Sequence, residues 1–286
     1  SASFALIAYI SSWLKYYHPA AFCCALLNSQ PMGFYAPSQL VQDVRRAGVE
    51  VREVDVMHSD WACTLEPGAD ESSDPALRLG LRLVKGLQNA AAERLVQARQ
   101  ERVFEHVTDL ARRADLDRGA LHALSKAGSL AALAGNRHQS SWAALGVEPA
   151  LPLFGEATVA EGVPILRKPR EGEDVTADYA TLGLTLGRHP LALLRHGFER
   201  KSYVTAKDIR ACEDGTSINT VGLVISRQRP GTATGVVFIT LEDETGVINL
   251  IVWSNLVETQ RREVLGAHLM GVVGEVQRQG EVVHVI

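Results

Sequence analysis

The sequence predicts a multi-domain α+β chain, helical over roughly its first two thirds and closing in a small five-stranded barrel. Three observations predict it. Apolar residues recur at helical spacing through much of 4–146. A polar stretch follows, broken by Pro149, Pro152, Pro164 and Pro169. Beyond residue 216 the pattern changes to short alternating runs rich in Val and Ile. The length of 286 residues accommodates two or three domains, and a 46% hydrophobic content supplies a sizeable core.

Taken in order, residues 4–13 have helical spacing, and Pro19 opens a second helix over 20–27. Residues 28–37 read as a loop, 37–47 as a helix ended by Gly48, and 49–56 as a strand. Residues 66–75 hold Pro, Gly, Asp and Ser and read as an exposed loop. Residues 79–146 read as short helices separated by Gly86, Gly119 and Gly128. The segment 147–178 reads as a connector, and 179–198 as a helix interrupted at His189-Pro190. Strands are expected over 217–226, 235–241, 247–253, 268–276 and 282–286, with a helix over 256–265. Asp243-Glu244-Thr245-Gly246 is the hairpin turn between the second and third. Three strands, a helix and two strands in so short a stretch is the order of an OB-fold barrel.

The formal net charge of −4 does not advertise a polyanion partner. The charge is uneven, however. Residues 80–146 carry 10 basic and 6 acidic side chains, so contact with phosphate is expected there first. Cys23, Cys24, Cys63 and Cys212 form no CxxC pair, and the histidines no cluster, so reduced cysteines and no metal site are expected. The apolar run 4–27 is interrupted by Lys15, His18 and Pro19, which excludes a membrane span and a signal peptide. Ser1 lies inside helical sequence, which reads as a chain beginning mid-protein.

Leu83-Val84-Lys85-Gly86-Leu87-Gln88, before a helix over 89–99, has the form of a helix-hairpin-helix. Such a turn presents backbone N–H groups at a helix N-terminus and holds a DNA phosphate without reading bases. Lys85, Gly86, Leu87 and Gln88 are the first candidates for that contact, with Arg94 and Arg99 as added counter-charge. Gln88 stands where a second glycine is usual, and a helical pair used only for packing is the competing role. A weaker copy follows at Ala127-Gly128-Ser129-Leu130, with Lys126 and Gly128 as candidates and an ordinary helical turn as the alternative. In the barrel, Arg227 and Arg229 lie in the loop expected over 227–234, and Arg278 in the one over 277–280. These two loops frame the ligand groove of an OB-fold, which makes the three arginines the single-strand candidates. Phe238 and Trp253 offer stacking faces, although the apolar run around Phe238 favours core packing. Leu151, Leu153 and Phe154 are apolar residues on a polar connector and want a partner surface, with the chain's own body as one. Ala150-Leu151-Pro152-Leu153-Phe154 also resembles the short motif with which bacterial polymerases grip the sliding clamp, although Ala150 stands where that motif has glutamine. Glu242-Asp243-Glu244 reads as a solvated hairpin tip. No Walker loop, nucleophile elbow or paired-aspartate set is present, so no residue is assigned to catalysis.

The order of these pieces resembles a known family. Ser3-Phe4-Ala5-Leu6-Ile7-Ala8-Tyr9, Trp13-Leu14-Lys15, His18-Pro19-Ala20 and Leu26-Leu27-Asn28-Ser29-Gln30-Pro31-Met32-Gly33-Phe34-Tyr35 resemble the late fingers region of bacterial DnaE-type (C-family) DNA polymerases. Leu81-Arg82-Leu83-Val84-Lys85-Gly86-Leu87 resembles the start of that family's tandem helix-hairpin-helix domain, and residues 238–246 its OB strand and hairpin. Pro31-Met32-Gly33-Phe34-Tyr35, Val41-Gln42-Asp43 and Arg229-Pro230-Gly231-Thr232 look most like the error-prone, translesion branch. The resemblance implies four parts: the end of a fingers-like region (1–79), a tandem helix-hairpin-helix domain (80–146), a connector with a helical segment (147–215) and an OB-fold (216–286). It implies a cytoplasmic polymerase whose palm aspartates and Mg²⁺ lie upstream of Ser1, with no cofactor in this part and no activity of this part alone. Primer–template DNA and single-stranded DNA are the implied partners, with the sliding clamp and other translesion proteins as further candidates. The rivals are a non-enzymatic protein adaptor and a stand-alone nucleic-acid-binding module.

Overall fold

Prolines begin three of the helices. Pro19, Pro37 and Pro190 each stand in a first helical turn, where a missing N–H costs nothing. The computed structural model describes residues 2–32, 35–68, 74–147, 164–231 and 235–286. The chain divides into two units, 1–187 and 188–286.

The first unit starts with α1 (Ala2–Tyr17), α2 (Pro19–Asn28) and α3 (Pro37–Arg46). Three short strands follow: β1 (Val51–Arg52), β2 (Thr64–Glu66) and β3 (Ala76–Arg78), with β3 central, parallel to β1 and antiparallel to β2. Only β1 falls within the strand expected over 49–56. Strands of two or three residues carry too little alternation to register as a pattern. A 3₁₀ turn (Leu81–Leu83) leads to α4 (Asn89–Glu101), α5 (Val107–Arg113), α6 (Arg118–Lys126), α7 (Ala131–Ala134) and α8 (Arg137–Leu145). One core joins Leu27 of α2, Val41 of α3, Leu77 of β3, Leu95 of α4, Leu124 of α6 and Leu184. The stretches 1–79 and 80–146 therefore share their packing rather than standing apart. The helix expected from Tyr179 instead begins at Glu171: α9 (Glu171–Thr181) carries Glu171, Glu173 and Asp174 in its first turn, where the helix dipole favours negative charge.

Glu66 ties the small sheet together. Hydrogen bonds from Arg78 and then Arg52 outweigh its partial burial and pull its carboxyl down to about 2. A folded-state value below the ordinary 4.5 adds stability that is complete above about pH 4.5 and is lost as pH falls through about 2. Glu66→Gln is accordingly expected to lower the denaturation midpoint at neutral pH, and the gap to the parent should close towards pH 2. A gap that persists undiminished at pH 2 would contradict the assignment.

The second unit opens with α10 (Pro190–Glu199), β4 (Tyr203–Val204) and α11 (Ala206–Ala211). Then come β5 (Ser217–Gln228), β6 (Val237–Asp243), β7 (Gly246–Val252), α12 (Ser254–Thr259), α13 (Arg261–Gly266), β8 (Leu269–Gln279) and β9 (Val282–Val285). The hydrogen-bonded order is β5-β6-β7-β9-β8, and β8 returns to pair with β5, which closes a five-stranded barrel. β7 and β9 run parallel and the other barrel pairs antiparallel. A register shift between Val224 and Ser226 bends β5 so that one strand serves two neighbours. Ile218, Ile239, Leu241, Leu250, Val264 and Val285 fill the interior.

The acidic run at the β6–β7 turn is not a solvated tip. Asp243 is 1% exposed. Its Oδ1 accepts from the amides of Thr245 (2.7 Å) and Gly246 (3.0 Å) and from the Thr245 hydroxyl (2.7 Å). Its Oδ2 accepts from the amide of Ala206 (2.7 Å) and stands 3.6 Å from the guanidinium of Arg195. Glu242 is buried as well, and Glu244 takes two hydrogen bonds from Arg195. Burial raises the Glu244 carboxyl, but Arg195 outweighs it and holds the group below the usual carboxylate range. The acids bind the turn to α10 and α11, elements that short-range pattern does not place beside it.

Candidate nucleic-acid interface

The first hairpin is the turn Val84-Lys85-Gly86-Leu87-Gln88 between the 3₁₀ turn and α4. Gly86 has φ of +88°, a region that L side chains rarely adopt, and lies against Ala123 of α6. Leu87 is buried and its amide closes the turn onto the carbonyl of Val84 (3.2 Å). The amides of Gly86, Gln88, Asn89 and Ala90 meet no protein acceptor among the described residues. Gly86, Gln88, Asn89 and Ala90 are all exposed, and the first turn of α4 holds no acid. Gln88 has extended backbone and does not cap the helix with its side chain. The second glycine of the usual hairpin is therefore not needed to leave these donors open.

The second hairpin differs. The amides of Gly128 and Ser129 return to Ser125 and Leu124, the Ser129 hydroxyl donates to Leu124, and the Ser129 carbonyl accepts from Val56. Ser129 and Leu130 are buried. Gly128 lies under Arg137, whose guanidinium comes within 3.0 Å of where a Cβ would stand. α6, before this hairpin, is capped by Asp117; α7 (Ala131–Ala134), after it, is a four-residue helix without a side-chain cap. The amides of Gly128, Ser129 and Ala131 and the Ser129 hydroxyl are thus spent on the fold.

The cations separate in the same way. Arg94 holds the carbonyls of Ala114 and Asp115, and Arg99 those of Val56 and Ser59, which pins both candidates to the body of the unit. Lys85 is exposed but donates to the carbonyls of Tyr179 and Ala180. Lys126 is exposed and makes no polar contact among the described residues. His122 and Arg118 share its exposed face of α6, four and eight residues back, and are equally open. Neither was a candidate from sequence, although the spacing 118, 122, 126 on one helix was there to be found.

In the barrel, Arg227 lies within β5 and caps the α13 end, donating to the carbonyls of Val264 (2.9 Å) and Ala267. Arg278 lies within β8, not in a loop, and donates to the carbonyls of Arg210 and Cys212. Both strands run further than expected, so both arginines point at helix ends instead of solvent. Arg229 is exposed and without a polar partner among the described residues. Phe238 is at the surface, 37% exposed, rather than in the core. It pairs in register with Ile251, as Thr240 does with Asn249, and Asn249 with His284. Trp253, 53% exposed, follows on the same alternation. Leu151, Leu153 and Phe154 lie outside the described residues, as do Gly33, Phe34 and Thr232.

Among the described residues no three His, Cys, Asp or Glu side chains converge as a metal set requires. The four cysteines are unpaired, and burial pushes the Cys23 thiol up to about 12 and Cys63 to about 11. Among the described residues no helix is long and apolar enough to cross a membrane.

Residues 48–140 match a family described as a helix-hairpin-helix motif. The chain is 53% identical to an error-prone DNA polymerase of Methylococcus capsulatus, 54% to one of Alkalilimnicola ehrlichii and 55% to one of Aromatoleum aromaticum. Each match covers 100% of this chain and 29%, 28% and 27% of the respective relative. Solved structures with partial likeness include asparaginyl-tRNA synthetase from Pyrococcus horikoshii (26% identity, 29% of this chain and 20% of that one, TM-score 0.25). Another is the S. pombe Stn1–Ten1 complex (21% identity, 30% and 70%, TM-score 0.20). With a helix-hairpin-helix match over residues 48–140, the chain is homologous over its whole length to a stretch that makes up less than a third of these bacterial error-prone DNA polymerases.

Proposed function

We propose that this chain grips primer–template duplex DNA on behalf of an error-prone DNA polymerase, and that the first hairpin makes the contact. The carrying observation is the set of four open amides at Gly86, Gln88, Asn89 and Ala90, at the start of a 13-residue helix. Oriented N–H groups and the positive end of a helix suit a phosphate and carry no base preference, as a polymerase moving along any sequence requires. Lys126 and Arg118 on α6, the helix against which Gly86 packs, supply further counter-charge, with His122 as a donor between them. The second hairpin braces the first. In this reading nucleotidyl transfer, its palm aspartates and its Mg²⁺ belong to the rest of a cytoplasmic enzyme. Leu151, Leu153 and Phe154 remain the proposed contact for a clamp or a translesion partner.

We read the barrel as an OB-fold. The closure order, the parallel pairing of its third and fifth strands and the helices between its third and fourth support this. Its single-strand surface is then the outer face with Phe238, Ile251 and Trp253, bordered by Arg229, and binding there would rest on stacking more than on charge.

The test is fluorescence anisotropy with primer–template duplex and with single-stranded DNA across a salt series. Lys126→Ala and Arg118→Ala are each expected to lower duplex affinity and to reduce the slope of log affinity against log salt by about 1. Phe238→Ala with Trp253→Ala should weaken single-strand binding and spare duplex binding. Absence of duplex binding at low salt would refute the grip and favour a protein-adaptor role.

A further inference from the structure

Lys85 is the cation adjoining the open amides in sequence, and it is held by α9. Its amide donates to the carbonyl of Thr181 (2.9 Å), and its ammonium to those of Tyr179 (3.2 Å) and Ala180 (3.1 Å). Three successive carbonyls at the C-terminal end of a helix carry the negative pole of its dipole. To Lys85 they offer what a phosphate offers, a small group of oxygen acceptors with net negative character. The chain then turns at Gly183, with φ of +77°, and the amides of Leu182 and Gly183 both return to the carbonyl of Asp178. That turn fixes where the α9 carbonyls end, and a Cβ at Gly183 would stand 3.9 Å from the Lys85 ammonium.

α9 is held at a second place. Asp174 and Asp178 pair with Arg137, at 2.5 Å for Asp178. Arg137 begins α8, one short helix beyond the second hairpin, and its guanidinium also reaches the carbonyl of Ala127 (3.4 Å). Asp178 accepts a further hydrogen bond from the Thr185 hydroxyl (2.6 Å). One helix, from the stretch expected to be a connector, thus holds Lys85 of the first hairpin directly and reaches the second through Arg137.

The geometry points to α9 as a built-in competitor of DNA. Its terminal carbonyls hold Lys85 while the first hairpin is empty. A phosphate on the open amides draws the ammonium away, so that duplex binding and α9 docking oppose each other. This rests on the reading of the first hairpin as a phosphate grip. Linkage makes the opposition reciprocal: DNA loosens α9, and whatever loosens α9 strengthens DNA binding.

Hydrogen exchange on the full chain, with and without a primer–template duplex, tests both layers separately. The expected result is slower exchange over residues 86–91 and faster exchange over 171–187 when duplex is added. Slower exchange over 86–91 with 171–187 unchanged or also slowed overturns the competition and leaves the grip standing. No change over 86–91 overturns both. A charge-neutral variant adds an independent arm: Gly183→Val strains the turn beyond α9 and should raise duplex affinity about fivefold. Unchanged or weaker affinity in a folded Gly183→Val chain would overturn the competition. Should that variant not fold, the exchange experiment on the parent chain decides.

Discussion

Asn89→Pro is expected to weaken duplex binding by about 10- to 100-fold, the worth of one hydrogen bond to a charged acceptor. Asn89 is the first residue of α4 and follows a residue with extended backbone, so proline is sterically acceptable on both counts. The substitution removes one of the four open amides without breaking the helix. It also removes the hydrogen bond from the Asn89 side chain to Glu93 (2.7 Å). Asn89→Ala controls for that loss, which is an exposed i,i+4 contact worth about 0.2–0.5 kcal/mol to the helix. Anisotropy titrations of both variants against the same duplex isolate the amide. Equal affinities for the two would remove the Asn89 amide from the phosphate contact.

Asp243→Ala is expected to destabilise the barrel unit by about 3–5 kcal/mol, because it strips a buried charge from its partners. Three amides, the Thr245 hydroxyl and part of Arg195 lose their acceptor at once. The β6–β7 turn then loses its hydrogen bond from the Ala206 amide of α11 and keeps the one from the Lys207 amide to the Thr245 hydroxyl (3.0 Å). Calorimetry of the full chain should show a transition of residues 188–286 lowered by more than about 10 °C. Glu258→Ala, an exposed change on α12, should shift it by far less. A drop no larger than that of Glu258→Ala would show the network to be dispensable.

Much of this architecture was legible from residue pattern, and the gaps have physical reasons. The barrel strands announced themselves by alternation, since β6 and β7 bury every second residue. The first hairpin was legible because Gly86 must sit at a turn. α9 was not, because a helix begun by Glu and Asp looks polar in sequence and gains its reason only from Arg137 and Lys85. The cations misled in one direction. Lys85, Arg227 and Arg278 are charged residues next to turns, and all three are spent on carbonyls at helix ends or in neighbouring loops. Nothing in composition separates a cation that caps a helix from one that waits for a phosphate. Phe238 erred the other way: an apolar neighbourhood in sequence hid its place on the outward row of β6.

The open amides of the first hairpin are peptide groups, and peptide groups do not titrate, oxidise or accept phosphoryl or acetyl marks. A grip made of them has no dial that the cell's acidity or signalling chemistry can turn directly. Between roughly pH 6 and pH 9 its share of the affinity should stay level, since no ionisable atom takes part. On the proposed reading, the side chains at 88, 89 and 90 are not part of the contact, and proline is the change that is felt there. On the same reading, any adjustment of the hold on DNA comes from the elements leaning on the turn, α6 and α9.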